Sequence, residues 1–96
     1  MTDVVHERAL RGVPRWMLVE YLEELGGTAL TADNGAAIGD DEDLVAGDGW
    51  QARLTQLEDF RTGPLSSEQV RLVVTGDPDE VRGMLSRLAP RLSRPG

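Results

Sequence analysis

Residues 70–88 read VRLVVTGDPDEVRGMLSRL, an apolar β-branched run joined directly to an amphipathic helix, and the reading of this stretch decides the fold. Val70 to Thr75 is the strongest strand signal in the chain, rich in side chains that pack on a pleated surface. Gly76-Asp77-Pro78-Asp79-Glu80 then sets a helix start. Asp77 is placed to cap, Pro78 has its φ pre-set for the first turn, and Glu80 stands three residues after the cap as in a capping box. Val81, Met84 or Leu85, and Leu88 recur at helical spacing and face the sheet. Pro90 lacks a backbone donor and crowds the preceding turn, which predicts a helix end near Ala89. Residues 93–96 read as a frayed tail, leaving 1–92 as one domain.

Working outward, the segment Gly12-Val13-Pro14 opens a second helix, Pro14 to Leu25. Its residues Met17 or Leu18, Tyr21, Leu22 and Leu25 follow the helical period, Glu20, Glu23 and Glu24 fill the polar side, and Gly26-Gly27 supplies the stop. Val4 to Leu10 reads as a first strand, with Val5 and Ala9 on one face and His6, Arg8 and Leu10 on the other. Thr28 to Ala32 and Ala36 to Ile38 flank Asp33-Asn34-Gly35, a turn signal for a tight hairpin. Gly39 to Gly49, with five acids and three glycines, reads as a solvated loop around a short apolar anchor, Leu44-Val45-Ala46. Trp50, Ala52 and Leu54 alternate with polar residues as a half-buried strand, and a bulge near Thr55-Gln56 would bring Leu57 back into phase. Asp59 to Glu68, with Gly63-Pro64 and Ser66-Ser67, reads as a turn or loop.

The order strand, helix, several strands, helix predicts an α+β two-layer sandwich. It is a ferredoxin-like variant with a mainly antiparallel sheet of four to five strands and both helices on one face. A complete ferredoxin-like unit has a last strand after the second helix, which the six residues following Pro90 do not supply. Either the central strands close the sheet, or a partner completes its edge.

Composition narrows the function. The 96 residues contain no cysteine, no lysine and one histidine, which removes thiolate nucleophiles, Schiff-base amines and most soft-metal sites. The net charge of −7 is uneven: residues 1–16 carry three arginines against two acids, 17–60 one against eleven, and 61–96 six against four. An acidic total disfavours nucleic acid, whose binding rests on a basic surface. No apolar stretch approaches a membrane span and no signal peptide opens the sequence, so a cytoplasmic protein is expected. General bases and nucleophiles are too few to favour an enzyme, and no cofactor is implied.

Five groups of side chains are candidates for chemistry or contact. The acidic run Asp40-Asp41-Glu42-Asp43 with Asp48 lacks calcium-loop spacing and reads as solvated charge. Glu20, Glu23 and Glu24 read as a solvent face, and His6 as a structural residue. Arg8, Arg11, Gly12 and Arg15 bracket a helix start, where free donors and the dipole favour a small anion. Trp16, Met17 and Leu18 cannot all face one core, so Trp16 and Met17 are the candidate interface residues.

Three segments, RGVPRWMLVEYLEELGG, GDGW before a strand, and VRLVVTGDPDEVRGMLSRL, together resemble a small bacterial domain. It is the C-terminal domain of proteins related to MoaD, the small sulfur-carrier subunit of molybdopterin synthase. The resemblance implies a ferredoxin-like fold without assigned activity, so no catalytic residue carries over. Carriers end in a Gly-Gly whose carboxyl is activated, whereas this sequence ends Arg94-Pro95-Gly96, which points away from carriage itself. The resemblance implies an accessory domain acting beside molybdenum-cofactor or sulfur-transfer proteins. Two readings follow: an interaction domain that binds a protein partner or self-associates, and a module that binds a small anionic or nucleotide-type ligand.

Overall fold

A computed structural model describes residues 3–30 and 42–92, with Phe60 described by its backbone alone. Strand β1 (Val4–Arg11) leads to helix α1 (Arg15–Glu24), then to strands β2 (Thr28–Leu30), β3 (Glu42–Gly47), β4 (Trp50–Thr62) and β5 (Leu65–Gly76), and finally to helix α2 (Pro78–Leu92). The strands form one sheet in the order β1-β5-β4-β3-β2, every neighbouring pair antiparallel. Both helices lie on one face, α1 over β2 to β4 and α2 over β4 and β5, and they meet each other. This is the expected α+β sandwich of ferredoxin-like type.

Registry fixes which side chains enter the core. Val45, Ala52 and Val74 stand in one row across β3, β4 and β5, and Leu54, Leu72 and Arg8 in the next across β4, β5 and β1. The period of two sends Trp50, Ala52 and Leu54 inward from β4, and Val70, Leu72 and Val74 inward from β5. The helices answer with Leu18 and Leu22 from α1, Leu25 from its C-cap, and Val81, Met84 and Leu88 from α2. Leu22 is fully buried, and truncating such a side chain costs roughly 2–5 kcal/mol.

Both helix starts follow their sequence signals. Pro14 occupies the N-cap of α1, with φ −62° and ψ 147°, and Gly26 takes φ +100° after the last turn. Asp77 Oδ2 accepts from the backbone N–H of Asp79 at 3.0 Å and of Glu80 at 3.2 Å, the predicted cap.

Four expectations are corrected. Residues 42–47, read as part of a solvated loop, form β3, because Leu44 and Val45 are buried and the adjoining acids are neutralised by arginines. The β4–β5 ladder runs unbroken through Leu57, and its irregularity falls between Leu57 and Phe60 instead of at Thr55-Gln56. Beyond it the chain does not loop. The two strands continue as a hairpin closed by Gly63-Pro64, where Gly63 takes φ +59° and proline holds its own φ negative, the pattern of a type II′ turn. Helix α2 also passes Pro90 and ends at Leu92. Arg91 accounts for that: Nη1 donates to the Arg87 carbonyl at 3.0 Å and Nε to Glu24 Oε2 at 3.0 Å, tying the last turn to α1. Thr28 to Leu30 does form a strand, but it pairs with Leu44 to Ala46. The Asp33-Asn34-Gly35 turn, Ala36 to Ile38 and the tail 93–96 lie outside the described residues.

Candidate interaction surface

Helix geometry sorts the bulky residues at the start of α1. Leu18 and Leu22, four apart, are both fully buried, and a position two residues before Leu18 lies almost opposite on the helix. Trp16 is therefore 61% exposed, the largest side chain the protein leaves in water. Met17 falls between the two faces and accepts at Sδ from the Tyr21 hydroxyl at 3.1 Å. Tyr21 packs against the core in turn. The three neighbours thus take three directions, and only Trp16 turns its ring outward.

Beside that ring lies a shallow groove of about 420 Å³ lined by Arg15, Trp16, Val19, Asp43 and Gln56. Arg15 Nε donates to Asp43 Oδ2 at 2.8 Å, fastening the start of α1 to β3. Both groups are partly exposed, so the pair positions the groove wall more than it stabilises the fold. The result is an aromatic plate beside a fixed ion pair and one amide. Polar groups around an exposed aromatic are the composition of a protein-contact patch.

The arginines proposed around the helix start do not converge. Arg8 is paired in register with Leu72 and Arg11 with Gln69, so their side chains leave β1 on opposite faces of the sheet. Arg15 is engaged with Asp43, and the Gly12 N–H donates to the Glu68 carbonyl at 2.9 Å. Of the acidic run, Asp40 and Asp41 lie outside the described residues, and the next two are engaged with arginines. Asp43 faces Arg15, Glu42 lies 3.5 Å from Arg53, and among the described residues no group of three or more His, Cys, Asp or Glu could hold a metal ion. Glu20 and Glu23 are exposed, and Glu24 receives Arg91. His6 is exposed on β1.

The Gly-Asp-Gly-Trp motif is a packing device. Trp50 is 5% exposed, and its ring lies on two glycines: a Cβ at Gly47 would overlap the indole, and one at Gly27 would stand 2.8 Å from it. Gly76 makes room for the backbone instead, where an added Cβ would collide with the Gly49 carbonyl. Sequence reasoning took Trp50 as the start of a core strand but did not read these glycines as its bed. Their common feature, small residues against one large residue, becomes visible only when the segment before β2, β3 and the end of β5 are brought together.

Fold and surface together define a small antiparallel α+β sandwich with an exposed aromatic and no assembled catalytic group among the described residues. Its family follows from comparison. Residues 6–96 match the family described as archaeal MoaD-like protein, and the chain belongs to that family. No curated protein matches it. Among the described residues no helix is long and apolar enough to cross a membrane.

Proposed function

We propose that this protein is a non-enzymatic accessory domain that docks on a protein partner through Trp16 and the adjoining groove, working beside molybdenum-cofactor or sulfur-transfer proteins. The observation that carries the reading is the 61% exposure of Trp16 in a helix whose neighbouring bulky residues are buried or half-buried. Exposing an indole carries a hydrophobic cost that burial against a partner would recover, and tryptophan is enriched among residues that dominate binding. Membership of the MoaD-like family supports the choice of pathway.

The test is affinity capture from the native host with wild type and Trp16→Ala, both checked by circular dichroism. Wild type is expected to retain a protein of that pathway, and Trp16→Ala to lose it by about tenfold or more without change in fold. Equal capture by both proteins would remove Trp16 from the interface, and recovery of no such protein would remove the pathway assignment.

A further inference from the structure

We infer that the outer edge of β1 pairs with β1 of a second copy, joining two five-stranded sheets into one continuous antiparallel sheet; this goes beyond the docking reading above and stands on a separate surface. Among the described residues β1 is bonded on one side only, to β5. The Gly12 N–H donates to the Glu68 carbonyl in the same register, which makes the even-numbered positions of β1 the ones bonded to β5. Val5, Glu7 and Ala9 therefore turn both backbone groups toward the open edge. Their row is regular: the β1–β5 register holds from Val4 to Arg11 without a shift, and the strand contains no proline; of the devices that blunt an edge it carries charge alone, at Glu7, Arg8 and Arg11. At its start the edge is greasy, with Val4 38% and Val5 69% exposed. A groove of about 260 Å³ between β1 and α2, lined by Val4, His6, Pro78, Val81 and Leu85 among others, runs beside it.

The sequence of β1 is self-complementary about Glu7. An antiparallel pairing across a two-fold axis perpendicular to the sheet keeps each face continuous, so even positions meet even and odd meet odd. Centred on Glu7, it sets Val4 against Leu10, Val5 against Ala9 and Asp3 against Arg11, apolar on apolar and acid on base at both ends, with His6 against Arg8 between them. Centring on Arg8 would oppose the two arginines and place Val5 against Arg11, and centring on Ala9 would leave Val4 unpaired. The chosen register opposes the two Glu7 carboxylates, but each lies 3.2 Å from Arg71 of its own chain. Charge also favours this seam over others. It falls in the segment 1–16, where three arginines nearly balance two acids, and away from the strongly acidic centre of the chain.

The absence of native cysteine makes the register directly readable. Three single variants, Val5→Cys, Glu7→Cys and Ala9→Cys, are oxidised mildly, and wild type and Val5→Glu are followed by sedimentation equilibrium. Only Glu7→Cys should form a disulfide-linked dimer in high yield, because only there do identical residues face each other within the Cα separation a disulfide needs, about 4.4–6.8 Å. Cysteines at 5 or 9 would sit four residues out of step with their copies, about 13 Å apart. Wild type should reach twice its 10.5 kDa mass, and Val5→Glu, a change at an exposed position, should weaken association about tenfold. Equal cross-linking at all three positions, or a wild type that stays monomeric, would overturn the pairing. Because Val5→Glu leaves the Trp16 surface untouched, a monomer that still captures its partner would refute this inference alone, and a dimer that captures nothing would remove the pathway assignment and leave the pairing standing.

Discussion

Trp50 shows how one side chain sets the requirements for residues distant in sequence. Its indole occupies the space that Cβ atoms at Gly27 and Gly47 would need, so those positions are glycines for volume, not for backbone freedom. Neither has positive φ. Gly47→Ala should therefore push the ring out of its bed and cost about 1–3 kcal/mol, the usual penalty of overpacking, read as a lowered midpoint in denaturant with unchanged slope. Gly12→Ala differs in kind, since no atom lies within 4 Å of the added Cβ and only the φ of +77° is strained. The burial of Trp50 was legible from alternation with Ala52 and Leu54, because one face of a half-buried strand leaves a two-residue period. Its glycine bed was not legible, because two segments distant in sequence supply it. At Trp16 the sequence carried the reverse message: three consecutive bulky residues on one helix cannot share a core, and the geometry of α1 selects which one turns outward.

At the scale of elements, the helices and the buried halves of the strands were legible, and the polar strands were not. Capping and period mark α1 and α2 because their signals are local. Strand β3 was hidden by composition: Glu42 and Asp43 look like part of a solvated acidic run until Arg53 and Arg15 stand beside them. The distal hairpin was hidden by exposure. From Arg61 to Glu68 every side chain is exposed, so no hydrophobic alternation survives to announce a strand, and only the Gly63-Pro64 turn carries a signal. The end of α2 was misplaced because the rule for proline weighs local sterics alone. Helix α2 continues because Arg91 supplies side-chain donors near the end and joins Glu24 on the neighbouring helix. Pro90→Ala would restore a backbone donor for the Ser86 carbonyl. It is expected to raise stability by about 1 kcal/mol, measured as an upward shift in thermal midpoint. An unchanged or lower midpoint would show that the turn is set by the Arg91 contacts alone.

Over the whole molecule, charge separates the two ligand classes that the sequence left open. The chain carries −7, and the arginines around the start of α1 are spread over two faces of the sheet or engaged with Asp43. Inorganic phosphate up to millimolar concentration should accordingly leave the thermal midpoint unchanged. A rise that Arg15→Ala abolishes would restore the anion reading and displace the docking one. The sandwich itself was legible because the order of elements and the faces they bury constrain it strongly. The candidate surface was legible only in part: Trp16 could be named, but the groove beside it needs Asp43 and Gln56, which come from strands β3 and β4.

The two tryptophans divide the molecule between them, one lying in the core on its glycines and the other standing in water at the head of α1. Their fluorescence therefore carries two separable messages. A soluble quencher reaches Trp16 and is excluded from Trp50, so quenchable emission follows the occupied surface while the protected emission follows unfolding, and a single spectrum distinguishes a protein that has bound from one that has come apart.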